Sequence, residues 1–143
     1  KAYRLFPPQV TAENVVWESG RMLGDLDVNA VICAPRRGET VAAGAVAVRG
    51  YSVAGGGGRV ERVELSADGG RSWTAATLED GDGPWAWRLF AGTLDLPAGE
   101  HELVARAWDS AGGTQPATVA QVWNFKGYMN NAWHRVRVRA MGA

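Results

Sequence analysis

What most limits the fold of this chain is its punctuation. From Asn29 onward every apolar run is cut short by Gly, Pro or Asp, and none recurs with the 3.6-residue period of an amphipathic helix. Val31-Ile32-Cys33 stops at Pro35, the run from Val46 to Tyr51 stops at Gly55-Gly56-Gly57-Gly58, and Arg59 to Ser66 sets Glu61, Val63 and Leu65 against Val60, Arg62 and Glu64. Asp68-Gly69-Gly70 supplies residues that tolerate positive φ and predicts a tight hairpin into a strand from Trp73 to Leu78. Trp85, Trp87 and Leu89 then share one face, and Leu103 to Trp108 forms the next strand. In the last strand Val136 and Val138 oppose Arg135, Arg137 and Arg139. Turn signals at this spacing predict about seven strands, all-β, in an immunoglobulin-like β-sandwich spanning 29–143. Cys33, between Ile32 and Ala34, is expected as a small buried hydrophobe.

Composition sets what such a sandwich can do. With 46% apolar residues in 143, one domain-sized core is available. Lys+Arg and Asp+Glu balance at 15 each, which gives no general field for nucleic acid or an anionic membrane surface. No apolar run is long enough to cross a bilayer, so the chain reads as soluble, with its compartment left open. A single cysteine excludes an intrachain disulfide and any Cys-rich metal centre, and the two histidines, His101 and His134, lie in separate strands; no metal is assigned. Seven tryptophans exceed what one core needs, and some are expected between chains or domains.

Residues 1–28 lack either period. Pro7-Pro8 favours an extended path, while Leu5, Phe6 and Trp17 are too apolar for a free tail. An arm of this kind packs on the sandwich or leads in from a preceding domain, and the start at Lys1 favours a piece of something larger. Ser66-Ala67-Asp68-Gly69-Gly70-Arg71-Ser72-Trp73 resembles the Asp box of sialidase propellers, but one copy without a repeat reads as a hairpin device. Gly55 to Gly58 lacks the Gly-Lys-Ser/Thr of a phosphate loop and reads as a flexible connection that another backbone can approach closely. Asp80-Gly81-Asp82-Gly83 lacks the closing acid of a calcium loop and reads as a solvated turn. The stripe Arg135, Arg137, Arg139 is a solvated face or a surface for an acidic partner.

The segment Trp123-Asn124-Phe125-Lys126-Gly127-Tyr128-Met129-Asn130-Asn131-Ala132-Trp133-His134 is too irregular for a plain strand and unusually rich in aromatics and amides. Together with Gly50-Tyr51-Ser52, Arg62-Val63-Glu64-Leu65-Ser66-Ala67-Asp68-Gly69-Gly70, Trp85-Ala86-Trp87-Arg88-Leu89, Arg106-Ala107-Trp108-Asp109 and Gln115-Pro116, it resembles the C-terminal dimerisation domain of the sulfite oxidase family of molybdenum enzymes. Phe6-Pro7-Pro8 to Trp17 is similar to the segment by which members of that family leave their molybdenum-cofactor domain.

The resemblance implies a homodimer built through this sandwich, next to a molybdenum-cofactor domain, within an enzyme that oxidises sulfite to sulfate and passes electrons to an acceptor. The metal's thiolate ligand would belong to the preceding domain, so this chain alone is expected to bind no cofactor and to hold no catalytic residue. One residue is implicated in substrate binding. Where sulfite oxidases usually carry an arginine after Trp-Asn-Leu, and assimilatory nitrate reductases a methionine, this chain carries Lys126. Lysine keeps the charge an anion needs and loses the bidentate fork. The alternatives are the same domain of a nitrate reductase, with which Met129-Asn130-Asn131 and Arg106-Ala107-Trp108-Asp109 are shared, and a stand-alone immunoglobulin-like binding module.

Overall fold

The computed structural model describes residues 3–81, 83 and 85–142. Its strands are β1 (Arg4–Leu5), β2 (Arg21–Met22), β3 (Asn29–Ala34), β4 (Thr40–Ala42), β5 (Gly44–Val53), β6 (Val60–Ser66), β7 (Thr74–Ala75), β8 (Thr77–Leu78), β9 (Arg88–Leu96), β10 (Gly99–Asp109) and β11 (His134–Met141). A five-stranded sheet, in the order β4-β11-β10-β6-β7, faces a four-stranded sheet, β3-β5-β9-β8, and β1-β2 forms a separate pair. Every pairing is antiparallel except β11 with β4. The fold is the expected all-β, immunoglobulin-like sandwich.

Alternation along the strands builds the core. Val46, Val48, Phe90, Leu94 and Leu96 from one sheet meet Val63, Leu65, Leu103, Val136 and Val138 from the other. Two glycines make this packing possible. Gly50 pairs with Phe90 across the β5–β9 ladder, and a Cβ at Gly50 would lie 2.3 Å from the ring and 2.0 Å from the Val31 carbonyl oxygen. A Cβ at Gly92 would lie 2.7 Å from Leu65. Both positions exclude any larger side chain because neighbouring core groups occupy that space.

Three strand expectations are corrected. Val60 is buried although Val63 and Leu65 are too, because the ladder slips between Trp108 and Asp109 so that Glu61 has no partner and the alternation reverses. Cys33 is exposed, not buried: Ile32 pairs with Gly50 and Ala34 with Arg49, which leaves Cys33 as the extra residue of a bulge with its thiol outward. The single strand predicted from Trp73 to Leu78 divides at Ala76, its first part joining β6 and its second β9, so it passes from one sheet to the other. Trp85 and Ala86 sit in a turn before β9, with Trp85, Trp87 and Leu89 all exposed. Of the residues singled out in the sequence, Lys1 and Asp82 lie outside the described residues.

The close approach expected at the glycine loop comes from the chain's own arm. A Cβ at Gly55 would lie 2.3 Å from the Leu26 carbonyl oxygen. The Asp-box hairpin is as its residue types suggest: Asp68 Oδ1 accepts from the amides of Arg71 and Ser72 at 2.9 Å each, Oδ2 from the Ser72 hydroxyl at 2.7 Å, and Ser66 Oγ from the Gly70 amide at 2.9 Å. Gly69 and Gly70 hold positive φ, and Trp73 meets Trp133 edge to face at 4.9 Å.

Two side chains join the sheets. Arg88, nearly buried, crosses from β9 to donate to the Val60 carbonyl at 2.7 Å and to that of Glu79 at 2.9 Å. His134 Nδ1 accepts the Ile32 amide at 3.1 Å. β3 is an edge strand, so this bond supplies an acceptor for an edge donor that no neighbouring strand can reach.

Asp68 and His134 make the stability of the domain pH-sensitive in predictable directions. The Ser72 hydroxyl and amide, followed by Ser66, hold the Asp68 carboxyl well below the usual carboxylate range. Its contribution is therefore complete above pH 4 or so and is lost as the pH falls further. Asp68→Asn is expected to lower Tm at pH 7, with the deficit shrinking in thermal melts taken below about pH 3. Burial, reinforced by the Arg37 charge, lowers the His134 pKa from its ordinary 6.5. The unfolded imidazole then takes up a proton first, so stability is full above pH 6.5 and declines as the pH falls below that value toward the folded pKa. Urea titrations at pH 7.5 and pH 5.5 are expected to show this loss, and His134→Gln, which keeps an acceptor without titrating, to flatten it.

Candidate functional site

The irregular segment before β11 forms a compact loop braced by the N-terminal arm. Asn124 is buried and closes the loop from within: its Nδ2 donates to the Tyr128 carbonyl at 2.6 Å, its Oδ1 accepts the Tyr128 amide at 3.3 Å, and its own carbonyl accepts the Gly127 amide at 2.9 Å. Gly127 takes φ 72°, the left-handed conformation such a turn requires. Lys126 therefore stands at the tip of a turn whose base is fixed by one side-chain amide.

The arm packs against this turn through aromatics. Phe6 is 4% exposed and its ring centroid lies 5.6 Å from Trp17 and 5.4 Å from Phe125, with Trp17 and Phe125 themselves 6.1 Å apart. Tyr3 and Tyr128 form a second contact at 5.8 Å. Gly20 faces Phe6 so closely that a Cβ there would lie 2.6 Å from the ring. These contacts pack the arm on the body of the domain. Between arm and loop opens a cleft of about 340 Å³ lined by Phe6, Pro7, Arg21, Asp27, Trp123 and Met129.

Lys126 is exposed, with its ammonium 5.5 Å from the centre of the Trp17 ring and 5.9 Å from that of Phe125. Among the described residues no carboxylate lies within 4.0 Å of it. The aromatic faces steady the cation without neutralising it, which leaves its charge available to an anion.

The other candidates are placed elsewhere. His101 contacts the Pro97 carbonyl at 2.8 Å and His134 serves β3, so the histidines do not converge. Among the described residues no three His, Cys, Asp or Glu side chains gather as a metal would require, and Cys33 stands on an outward bulge; these residues do not fit a molybdenum ligand set. No described helix is long and apolar enough to cross a membrane. The arginine stripe is paired inside the chain: Arg135 to Glu102 at 2.7 Å, Arg137 to Glu102 at 3.5 Å, and Arg139 to Glu100 at 3.7 Å.

Two features escaped the sequence reading. Gln115, nearly buried, accepts the Ala107 amide at 2.9 Å and donates to the Asn29 side chain and the Asn131 carbonyl at 3.0 Å each, while its own carbonyl accepts Trp133 Nε1 at 2.9 Å. Arg106 binds Glu64 at 2.7 Å and lies 3.8 Å above Trp73. The alternation Arg62-Val63-Glu64 opposite Arg106-Ala107-Trp108 was the available signal for the second.

Truncating a fully buried phenylalanine costs about 3–5 kcal/mol. Phe125 is only partly buried, so Phe125→Ala is expected to cost about 2 kcal/mol and to release the arm. Limited proteolysis between residues 7 and 20 should accelerate in that variant and stay slow in Phe125→Leu.

Comparison with known proteins agrees with this architecture. Residues 21–141 match the family model described as Mo-co oxidoreductase dimerisation domain. The chain is 44% identical over 143 residues to human mitochondrial sulfite oxidase, covering 95% of this chain and 26% of that protein. It thus spans about a quarter of the length of that relative. The crystal structure of the sulfane dehydrogenase SoxCD from Paracoccus pantotrophus superposes with a TM-score of 0.70 at 27% identity, over 91% of this chain and 34% of that one. A nitrate reductase from Betula pendula is 44% identical over 57 residues, only 40% of this chain and 6% of the enzyme, so the nitrate reductase alternative is not favoured, nor is a stand-alone binding module. The chain belongs to the Mo-co oxidoreductase dimerisation domain family, as the dimerisation domain of the sulfite oxidase type.

Proposed function

We propose that this chain pairs two copies of a sulfite-oxidising molybdenum enzyme, and that it lends Lys126 to the anion pocket of that enzyme. In this reading residues 1–28 lead in from a molybdenum-cofactor domain and 29–143 form the dimerising sandwich. A molybdenum cofactor held outside this chain would supply the redox chemistry of the intact enzyme. The chain's own residues bind and orient: Asn124 shapes the turn, Phe6, Trp17 and Phe125 hold it to the arm, and Lys126 presents a charge.

The observation that carries the reading is the geometry of Lys126. A cation free of any carboxylate within 4.0 Å among the described residues, on a turn clamped to the segment that leads into the domain, suits an oxyanion approaching from the arm side. A charge-assisted hydrogen bond is worth about 1.5–3 kcal/mol. In the intact enzyme Lys126→Met is expected to raise KM for sulfite about tenfold or more, and Lys126→Arg to restore it. Steady-state kinetics check this, and an unchanged KM in Lys126→Met would remove the residue from the pocket.

A further inference from the structure

The two outer faces of the sandwich differ in kind. On the five-stranded sheet the charges are consumed locally: Arg62 lies 3.8 Å over Trp108, Arg106 3.8 Å over Trp73, and Arg135, Arg137 and Arg139 pair with Glu102 and Glu100. The four-stranded sheet turns a nearly bare surface outward. Its centre carries the small residues Ala45, Ala47 and Ala91, and one end carries Tyr51 and Leu89, with Trp87 5.9 Å from the Tyr51 ring. Among the described residues of β3, β5, β8 and β9, Arg49 and Asp95 are the only outward charges, and neither has an ion-pair partner within 4.0 Å. A flat apolar sheet face of this extent, opposite one that is internally satisfied, is a surface to be covered.

We infer that the face carried by β3, β5 and β9 is where a second copy of this chain docks, sheet on sheet, with a two-fold axis running across the strands at the Ala47–Thr93 row. The inference rests on the dimerisation reading above and adds the surface and the register. Ala47 pairs with Thr93, Arg49 with Ala91, and Ala45 with Asp95, so the Arg49 row and the Asp95 row lie on opposite sides of Ala47–Thr93. A two-fold at that row lays β5 over the partner's β5 in reversed direction. Arg49 then faces the partner's Ala45 and reaches the partner's Asp95 on the neighbouring strand, and symmetry forms the same pair a second time. Placing the axis at the Arg49–Ala91 row would instead set the two guanidinium groups against each other. The alanines allow the sheets to approach to about 10 Å, the spacing of packed sheets.

Sedimentation velocity and equilibrium on the 143-residue chain test this. Ala47→Arg adds a charged side chain at an outward position, leaves the core untouched, and is expected to weaken self-association about a hundredfold with an unchanged circular dichroism spectrum. Arg49→Asp and Asp95→Arg are each expected to weaken it about tenfold, and the double exchange to recover most of that loss. Arg137→Glu, on the opposite face, should leave the dimer intact. A dimer unaffected by Ala47→Arg, or broken by Arg137→Glu, overturns the assignment of the face while leaving the dimerisation reading standing. Failure of the double exchange to recover association overturns the register. An unsubstituted chain that remains monomeric at millimolar concentration overturns both the face and the dimerisation reading.

Discussion

The carboxamide of Gln115 is the interaction on which the rest of this structure leans. It sits just after β10, buried, and joins three parts of the chain that are remote in sequence: the Ala107 amide in β10, the Asn29 side chain at the start of β3, and the Asn131 carbonyl just before β11. Its backbone carbonyl takes the indole N–H of Trp133. A buried amide with every polar atom engaged is strongly directional, because losing one partner leaves another desolvated and unpaired. The first and last long strands therefore enter the sandwich in fixed relation. The loop carrying Lys126 lies between Gln115 and Asn131, so its ends are set by the same group.

The division of labour between the outer faces follows from where charge is placed. Across β6, β10 and β11 the outward arginines lie among glutamates and tryptophans, so each guanidinium finds a carboxylate on the neighbouring strand or an aromatic face beside it. Singly such exposed pairs are worth little, but the Arg106–Glu64 pair is partly buried and stacked, which confines it to one arrangement. Along β5 and β9 the outward positions hold alanine, threonine, tyrosine and leucine, with Arg49 and Asp95 as the outward charges among the described residues. Burying that face against a like surface would desolvate mostly apolar groups, and the two charges would have to find partners across the contact.

Much of the sandwich was legible because alternation and turn residues are local signals. The inward placement of Val136 and Val138 and the outward placement of Arg135, Arg137 and Arg139 needed only a period of two. What local pattern could not disclose were the interruptions. The bulges at Cys33 and Glu61 each reverse the faces of their strand, and both are fixed by pairing with a distant partner. The change of sheet at Ala76 is a tertiary decision of the same sort. The aromatic brace was half visible: Phe6 and Trp17 were recognised as groups that water would not keep, but their partner Phe125 follows only from the fold. Lys126 stood out through family resemblance, whereas its exposed, unneutralised ammonium is a property of the folded loop.

The contacts that close the domain have a consequence for its synthesis. Val28 waits for Asn131, Ile32 for His134, and Phe6 for Phe125. Each pairs a residue of the arm or of β3 with one synthesised about a hundred residues later. Contacts of this separation carry a large loop-closure entropy and slow folding. On the ribosome the arm and β3 emerge well before anything exists to satisfy them. The domain cannot complete itself piecemeal, and the bare face of the four-stranded sheet is exposed for the whole of that interval, a period in which chaperone shielding has the most to protect.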